Sequence, residues 1–182
     1  MLVTEVIVFS FPVLTAGLIH HFLVVKYNWL PSLKKPIDGG LTWRGKRLLG
    51  DSKTFRGFLI VTVCSGLSML LISPFITIPL KHNPFLCGSL LGFGYSLLEL
   101  PNSFLKRRMG IREGTFARGF SKPLWSILDQ TDSVIGALLF LPAVYAPSWG
   151  LIVVLFLGGT LLHIVIDGCL YRFGYKKRTP NT

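Results

Sequence analysis

The sequence predicts an all-α integral membrane protein with five transmembrane helices, its N-terminus outside, its C-terminus and two long polar loops cytoplasmic. Three observations lead there. Of the 182 residues, 51% are hydrophobic, yet the chain carries a net charge of +11. The apolar residues gather into runs close to the roughly 17–25 residues that cross a bilayer. The Lys and Arg fall between alternate runs, which a soluble basic domain has no reason to arrange. The whole chain, 1–182, reads as a single membrane-embedded domain.

The first span covers about Leu2–Val25. It is too long, too acidic at its start and too poor in early positive charge for a cleaved signal peptide. The second, Gly57–Leu80, contains Pro74 and Pro79, breaks that membrane helices tolerate when neighbours satisfy the freed carbonyls. The third, Phe85–Leu100, is the shortest, and Pro101 with Asn102 is expected to end it. The fourth, Trp125–Tyr145, contains Pro142, and the fifth is Trp149–Leu170. Cys64, Cys87 and Cys169 lie in apolar runs without CxxC spacing and read as small hydrophobes.

Charge placement orients these spans. Between spans one and two lie Lys26, Lys34, Lys35, Arg44, Lys46, Arg47, Lys53 and Arg56. Between three and four lie Lys106, Arg107, Arg108, Arg112, Arg118 and Lys122, and the C-terminal end holds Arg172, Lys176, Lys177 and Arg178. Of 19 basic residues only Lys81 remains for the opposite face, so both loops and the C-terminus are read as cytoplasmic, at the cell membrane. Every acid except Glu5 sits on the same side. Topogenic loops need no acids, so a polar site within reach of cytosolic ligands is expected there.

The first loop mixes Gly, Pro and cations with Trp43 and Phe55, unlike a flexible linker, and is expected to fold back on the interface or between helices. Its GDSKTFRG, Gly50–Gly57, has the grammar of a phosphate-holding turn without the Walker A spacing. LKRRMG in the second loop suits either anionic lipid headgroups or a bound phosphate. LDQTDSVIG opens the fourth span with Asp129 and Asp132 three apart, hence on one helix face. One acid is a fair N-cap, and two in a cationic setting suit either ion pairs or Mg²⁺ shared with phosphate oxygens. His163, Asp167 and Tyr171 share a face of the fifth span, as a packing hydrogen bond or as part of the same cavity.

PIDGGLTWRGKRLLGDSKTFRG, ELPNSFLKRRMGI and LDQTDSVIGA, in this order, resemble the CDP-archaeol synthase family, among the CTP-dependent phosphatidate cytidylyltransferases. The resemblance covers about Pro36–Tyr175. It implies a five-helix enzyme joining CTP to a membrane lipid phosphate, phosphatidate or an isoprenoid ether-lipid phosphate, with release of pyrophosphate. It implies Mg²⁺ on Asp129 and Asp132, catalytic work by these acids and Lys106, and substrate contacts from Ser103, Arg107, Lys53 and Arg56. Arg44, Arg47, Asp51 and Arg108 in the two cationic segments join them as candidate substrate-binding residues. The chain departs from the family's pattern at Asp167, where Asn is usual, which loosens the link to one lipid. No nucleic-acid partner is expected, and a homodimer is the assembly expected if one forms. The competing class is a small membrane transporter or anionic-lipid scaffold, which explains the basic loops but leaves the acid pair without a purpose.

Overall fold

A computed structural model describes residues 2–116, 122–174 and 179–180. Arg118, Lys176, Lys177 and Arg178, part of the cationic face expected above, lie outside the described residues.

Five helices dominate. The first, α1 (Leu2–His20), continues to Lys26 as a wider π-helical segment, closed where the Tyr27 N–H donates to the Phe22 carbonyl at 3.1 Å. The loop that follows is ordered. Strands β1 (Thr42–Trp43) and β2 (Lys46–Arg47) pair antiparallel across Arg44 and Gly45, at φ 52° and 72°. Two consecutive positive φ values are what a two-residue I′ hairpin turn requires. Buried Asp38 organises the loop around itself. Its carboxylate accepts the N–H groups of Gly40 (3.0 Å), Leu49 (2.9 Å) and Gly50 (3.3 Å) and the Arg47 guanidinium at 2.8 Å. Burial alone would raise this acid, but the Leu49 N–H, Arg47 and the two glycine N–H groups outweigh it and hold Asp38 at about 2.

Helix α2 (Phe55–Ile72) starts at an N-cap whose Thr54 hydroxyl accepts the Gly57 N–H at 3.2 Å. It ends in a 3-10 turn at Ser73–Phe75, and Ile76–Leu80 is irregular, so the second span is shorter than expected. Pro74 provides the reason: it has no N–H to carry the ladder forward.

Helix α3 (Pro84–Arg108) corrects the sequence reading most. Pro101 does not end it. The helix runs a further two turns, placing Ser103, Lys106, Arg107 and Arg108 on a helix rather than in a loop. The residues past Pro101 find partners on the fourth helix and the first loop, which outweighs one missing hydrogen bond. Cations in the last turn also suit the helix dipole. Helix α4 (Lys122–Val144) begins earlier than expected, so Asp129 lies seven residues inside it and is no N-cap. Helix α5 (Trp149–Arg172) is capped by the Ser148 hydroxyl, which accepts the Leu151 N–H at 3.2 Å. A short parallel pair joins β3 (Thr115–Phe116) to β4 (Thr179–Pro180).

Helix α3 is central, sandwiched between α2 and α4, with α1 against α2 and α5 against α4. Its two seams are made of small residues. Gly88 and Gly92 lie against Ser65 and Gly66 of α2, and Gly94 lies against the Gly136 backbone of α4. A Cβ on either Gly94 or Gly136 would collide with the other's backbone. Such close approach is the common way to pack helices where lipid removes the hydrophobic drive. Val8, Phe9, Met69, Leu91, Leu141 and Leu151 fill the core at one end. There the Tyr145 hydroxyl donates to Glu5 at 2.7 Å and the Lys81 ammonium to the Pro142 carbonyl at 2.6 Å. The outward faces expose Leu67, Leu71, Leu139, Leu157 and Leu161. Four helical stretches are long and apolar enough to cross a bilayer: Leu2–Lys26, Phe55–Phe75, Lys122–Val144 and Trp149–Arg172. A molecule that shows lipid so much leucine on such helices is a multi-pass membrane protein.

Candidate active site

With α3 extended, Glu99, Asn102, Ser103 and Lys106 stand at i, i+3, i+4 and i+7, a single helix face. That face meets Asp129, Asp132 and Ser133 of α4. One continuous polar chain results. The Lys53 ammonium, from the first loop, pairs with Glu99 Oε2, and Glu99 Oε1 accepts the Ser133 hydroxyl at 2.9 Å. Ser133 Oγ also lies 3.2 Å from Asp132 Oδ1, and the Asn102 Nδ2 donates to Asp132 Oδ2 at 2.6 Å and to Asp129 Oδ1 at 2.9 Å. The Lys106 ammonium completes the chain on Asp129 Oδ1. Three acids thus alternate with two ammoniums and two neutral linkers. Burial would lower Lys53, but the Glu99 carboxylate more than offsets it and keeps that ammonium charged.

The chain lines one end of a cavity of about 580 Å³. Lys53, Asn102, Ser103, Lys106, Arg107, Asp129 and Asp132 face it, with His20, Ser52, Arg112 and Thr115 nearby. The same cavity continues past Tyr95 and His163 to an apolar end walled by Phe9, Val13, Leu141 and Leu155. A ligand with an anionic head and an apolar body fits such a shape.

The other residues singled out from sequence lie elsewhere. Arg56 is buried and donates to Asn28 Oδ1 (2.8 Å) and the Trp29 carbonyl (2.9 Å), tying α2 to the end of the π-helical segment. Arg108 donates to the carbonyls of Trp43, Lys46 and Arg47 at 2.6–2.9 Å, clasping the hairpin to α3. Arg47 pairs with Asp38 and Asp51, and Arg44 sits at the hairpin tip against Trp43. None of these four, nor Asp51, lines the cavity. Arg107 lines it while donating through Nε to the Leu49 carbonyl at 3.3 Å and through Nη1 to that of Ile111.

The GDSKT turn does hold an anion, but an internal one. The Asp51 and Ser52 N–H groups donate to the Glu113 carboxylate at 2.6 and 2.9 Å, joining the two loops at the cavity rim. His163 and Asp167 also connect: Tyr95 Oη lies 3.0 Å from His163 Nε2, His163 Nδ1 lies 2.8 Å from Gln130 Oε1, and Gln130 Nε2 reaches Asp167 Oδ2 at 3.4 Å. A carbonyl oxygen can only accept, so His163 carries a proton on Nδ1. Glu99, Asn102, Ser133, Tyr95 and Gln130 were not singled out from sequence. The one signal that finds the first two is the Glu99–Asn102–Lys106 spacing, visible only if a helix runs through Pro101.

The profile of the CarS-like CDP-archaeol synthase family matches residues 18–179 of the chain. The CDP-archaeol synthase of Thermococcus kodakarensis is 36% identical over 146 residues, covering 78% of this chain and 80% of its own. That of Haloarcula marismortui is 38% identical over 156 residues, with 78% and 81% covered. That of Methanospirillum hungatei is 33% identical over 155 residues, with 78% and 87% covered. A solved structure of an intramembrane enzyme for archaeal membrane lipids biosynthesis is similar in fold, with TM-score 0.59, 24% identity and 88% and 91% of the two chains covered.

Proposed function

Since the chain belongs to the CDP-archaeol synthase family and is a membrane cytidylyltransferase, we propose that it transfers the CMP part of CTP to an isoprenoid ether-lipid phosphate. The observation that carries this reading is one cavity with a Lys–acid–Ser–acid–Asn–acid–Lys wall at one end and an aliphatic wall at the other. An oxygen of the lipid phosphate attacks the α-phosphorus of CTP, the bond from that phosphorus to the β-bridging oxygen breaks, and pyrophosphate leaves. Such a reaction asks for positioning and charge neutralisation more than for a side-chain nucleophile. The ammoniums of Lys53 and Lys106 supply compact positive charge beside the acids, and the Arg107 guanidinium offers a planar donor fork at the rim. The lipid keeps its chains among Phe9, Leu141 and Leu155 while its phosphate reaches the polar wall, so only the headgroup has to leave the apolar region.

The donor set fits Mg²⁺. Among the described residues no group of three or more His, Cys, Asp or Glu converges on a metal position. An acid pair is what Mg²⁺ takes when phosphate oxygens and waters complete its shell. Asp129 and Asp132 would hold it, and when bound it would neutralise phosphate charge and stabilise the departing pyrophosphate. Phosphatidate offers the same phosphate chemistry and is the second lipid to test. In this reading helix α3, which at 25 residues rises about 37 Å, serves as the fifth span, its polar last turns sheltered by α4 and the first loop. This returns the N-terminus to the outside and the site to the cytoplasmic face of the cell membrane.

The test is a radiolabelled-CTP assay with purified protein, Mg²⁺ and a panel of lipid phosphates. Wild type is expected to form CDP-lipid, and Asp129→Asn or Asp132→Asn to abolish it while membrane insertion persists. Full activity of both variants would sink the metal assignment. No turnover with any lipid phosphate would return the protein to a lipid-binding role.

A further inference from the structure

Asn102 occupies the place where a cation would be expected. Its Nδ2 holds Asp129 Oδ1 and Asp132 Oδ2 at 2.9 and 2.6 Å, joining the two acids much as an ion would. Its other edge is different: Oδ1 is buried and has no hydrogen-bond partner among the described residues. A buried carbonyl left in this state costs about 1–3 kcal/mol. Turning the amide over would only exchange one unpaired edge for another. The near edge alone therefore decides which way the amide faces, and the two carboxylate oxygens select the NH₂.

A divalent cation reverses that choice, because the positive edge of an amide cannot share its position. We propose that Asn102 is an amide switch at the cation site: a half-turn about Cβ–Cγ withdraws Nδ2 from the two acids and presents Oδ1 as a third oxygen ligand. The inference rests on the reading of Asp129 and Asp132 as cation ligands. The spacing suits it. Neighbouring ligands of an octahedral Mg²⁺ at 2.0–2.1 Å stand about 3 Å apart. The amide corner already lies 2.9 and 2.6 Å from the two carboxylate oxygens, so interchanging its atoms puts an amide oxygen at about that separation from each of them without backbone movement. The backbone is held on both sides, by Glu99 with Lys53 one turn before and by Lys106 with Asp129 one turn after. The switch needs rotation of the Asn102 side chain, and the Lys106 ammonium yields Asp129 Oδ1 to the ion.

The test is Mn²⁺ binding to detergent-purified protein without nucleotide or lipid, followed by the spin-resonance signal of free Mn²⁺. Asn102→Ala removes the third ligand and is expected to weaken binding about 10-fold or more, within the range of 10–100-fold usual for support lost around a metal. Asn102→Asp keeps an oxygen and adds charge, and is expected to bind at least as tightly as wild type. Binding by Asn102→Ala at or above wild-type strength would mean that the amide only competes with the ion, and the switch falls. Loss of binding in Asn102→Asp would also overturn it, and this variant decides the matter if Asn102→Ala does not fold. Asp129→Asn with Asp132→Asn is the control. Wild-type binding in that double variant would place the ion elsewhere, overturning the reading of the acid pair and the switch with it. Loss there beside unchanged binding in Asn102→Ala overturns the switch alone.

Discussion

Glu99 is the residue on which the two halves of the polar wall depend, since its two oxygens hold Lys53 from the first loop and Ser133 beside Asp132. Glu99→Gln preserves shape and one hydrogen bond but removes the charge facing an ammonium that is only 24% exposed. Turnover is expected to fall about 10-fold or more, equivalent to about 1.4 kcal/mol of transition-state stabilisation. Partial recovery in Glu99→Asp would separate lost charge from lost packing. Asp38 makes a prediction about pH. Its carboxyl is depressed from 3.8 to about 2, so the stability it adds is fully present above about pH 4 and is lost as pH falls toward 2. The amount is about 2 kcal/mol for a shift of this size. Protection of the Leu49 and Gly50 amides, taken relative to open-chain exchange at the same pH, should therefore fall across pH 4 to 2 in wild type, and already at pH 7 in Asp38→Asn. Protection indifferent to both changes would remove Asp38 from its organising role. At this scale the acid pair was legible in the sequence through helical spacing and charge contrast, and Lys106 through the resemblance to the family's motif. Glu99 and Asn102 were not, because Pro101 between them reads as a stop.

The elements follow hydropathy closely in α1, α2, α4 and α5, where a long apolar run leaves few alternatives to a helix. Helix α3 departs from it because its last two turns are polar and are stabilised by partners distant in sequence, Asp129 and the hairpin carbonyls. No local pattern contains that information. The hairpin was equally hidden: TWRGKR places Arg44, not Asn or Asp, at a positive-φ turn position, where the signal is weak. The Gly94–Gly136 seam fixes how closely α3 and α4 approach, and it lies about one turn from Asp132. Gly136→Leu should force the helices apart and destabilise the fold by about 1–3 kcal/mol, the usual effect of overpacking. Activity should fall further than stability does, since the wall is built across that seam. A thermal-shift measurement beside the CTP assay checks the difference, and equal losses would mean that the seam only supports the fold.

For the whole molecule, the proposed orientation has a direct test. In a background without cysteines, Lys81→Cys should react with a membrane-impermeant maleimide on intact cells, and Arg44→Cys only after permeabilisation. The reverse pattern would invert the protein, and labelling of both from outside would remove α2, the helix between them, from the spans. The two-loop clasp at the rim has a different consequence. The Asp51 and Ser52 N–H pair is already satisfied by Glu113, an anion tethered to the same chain. Chloride or acetate offers the pair nothing that Glu113 does not, while Glu113 is held in place by the chain. Only an anion with further oxygens to spend on nearby cations displaces it. The rim therefore discriminates by valence, favouring polyanions over simple salts at this N–H pair.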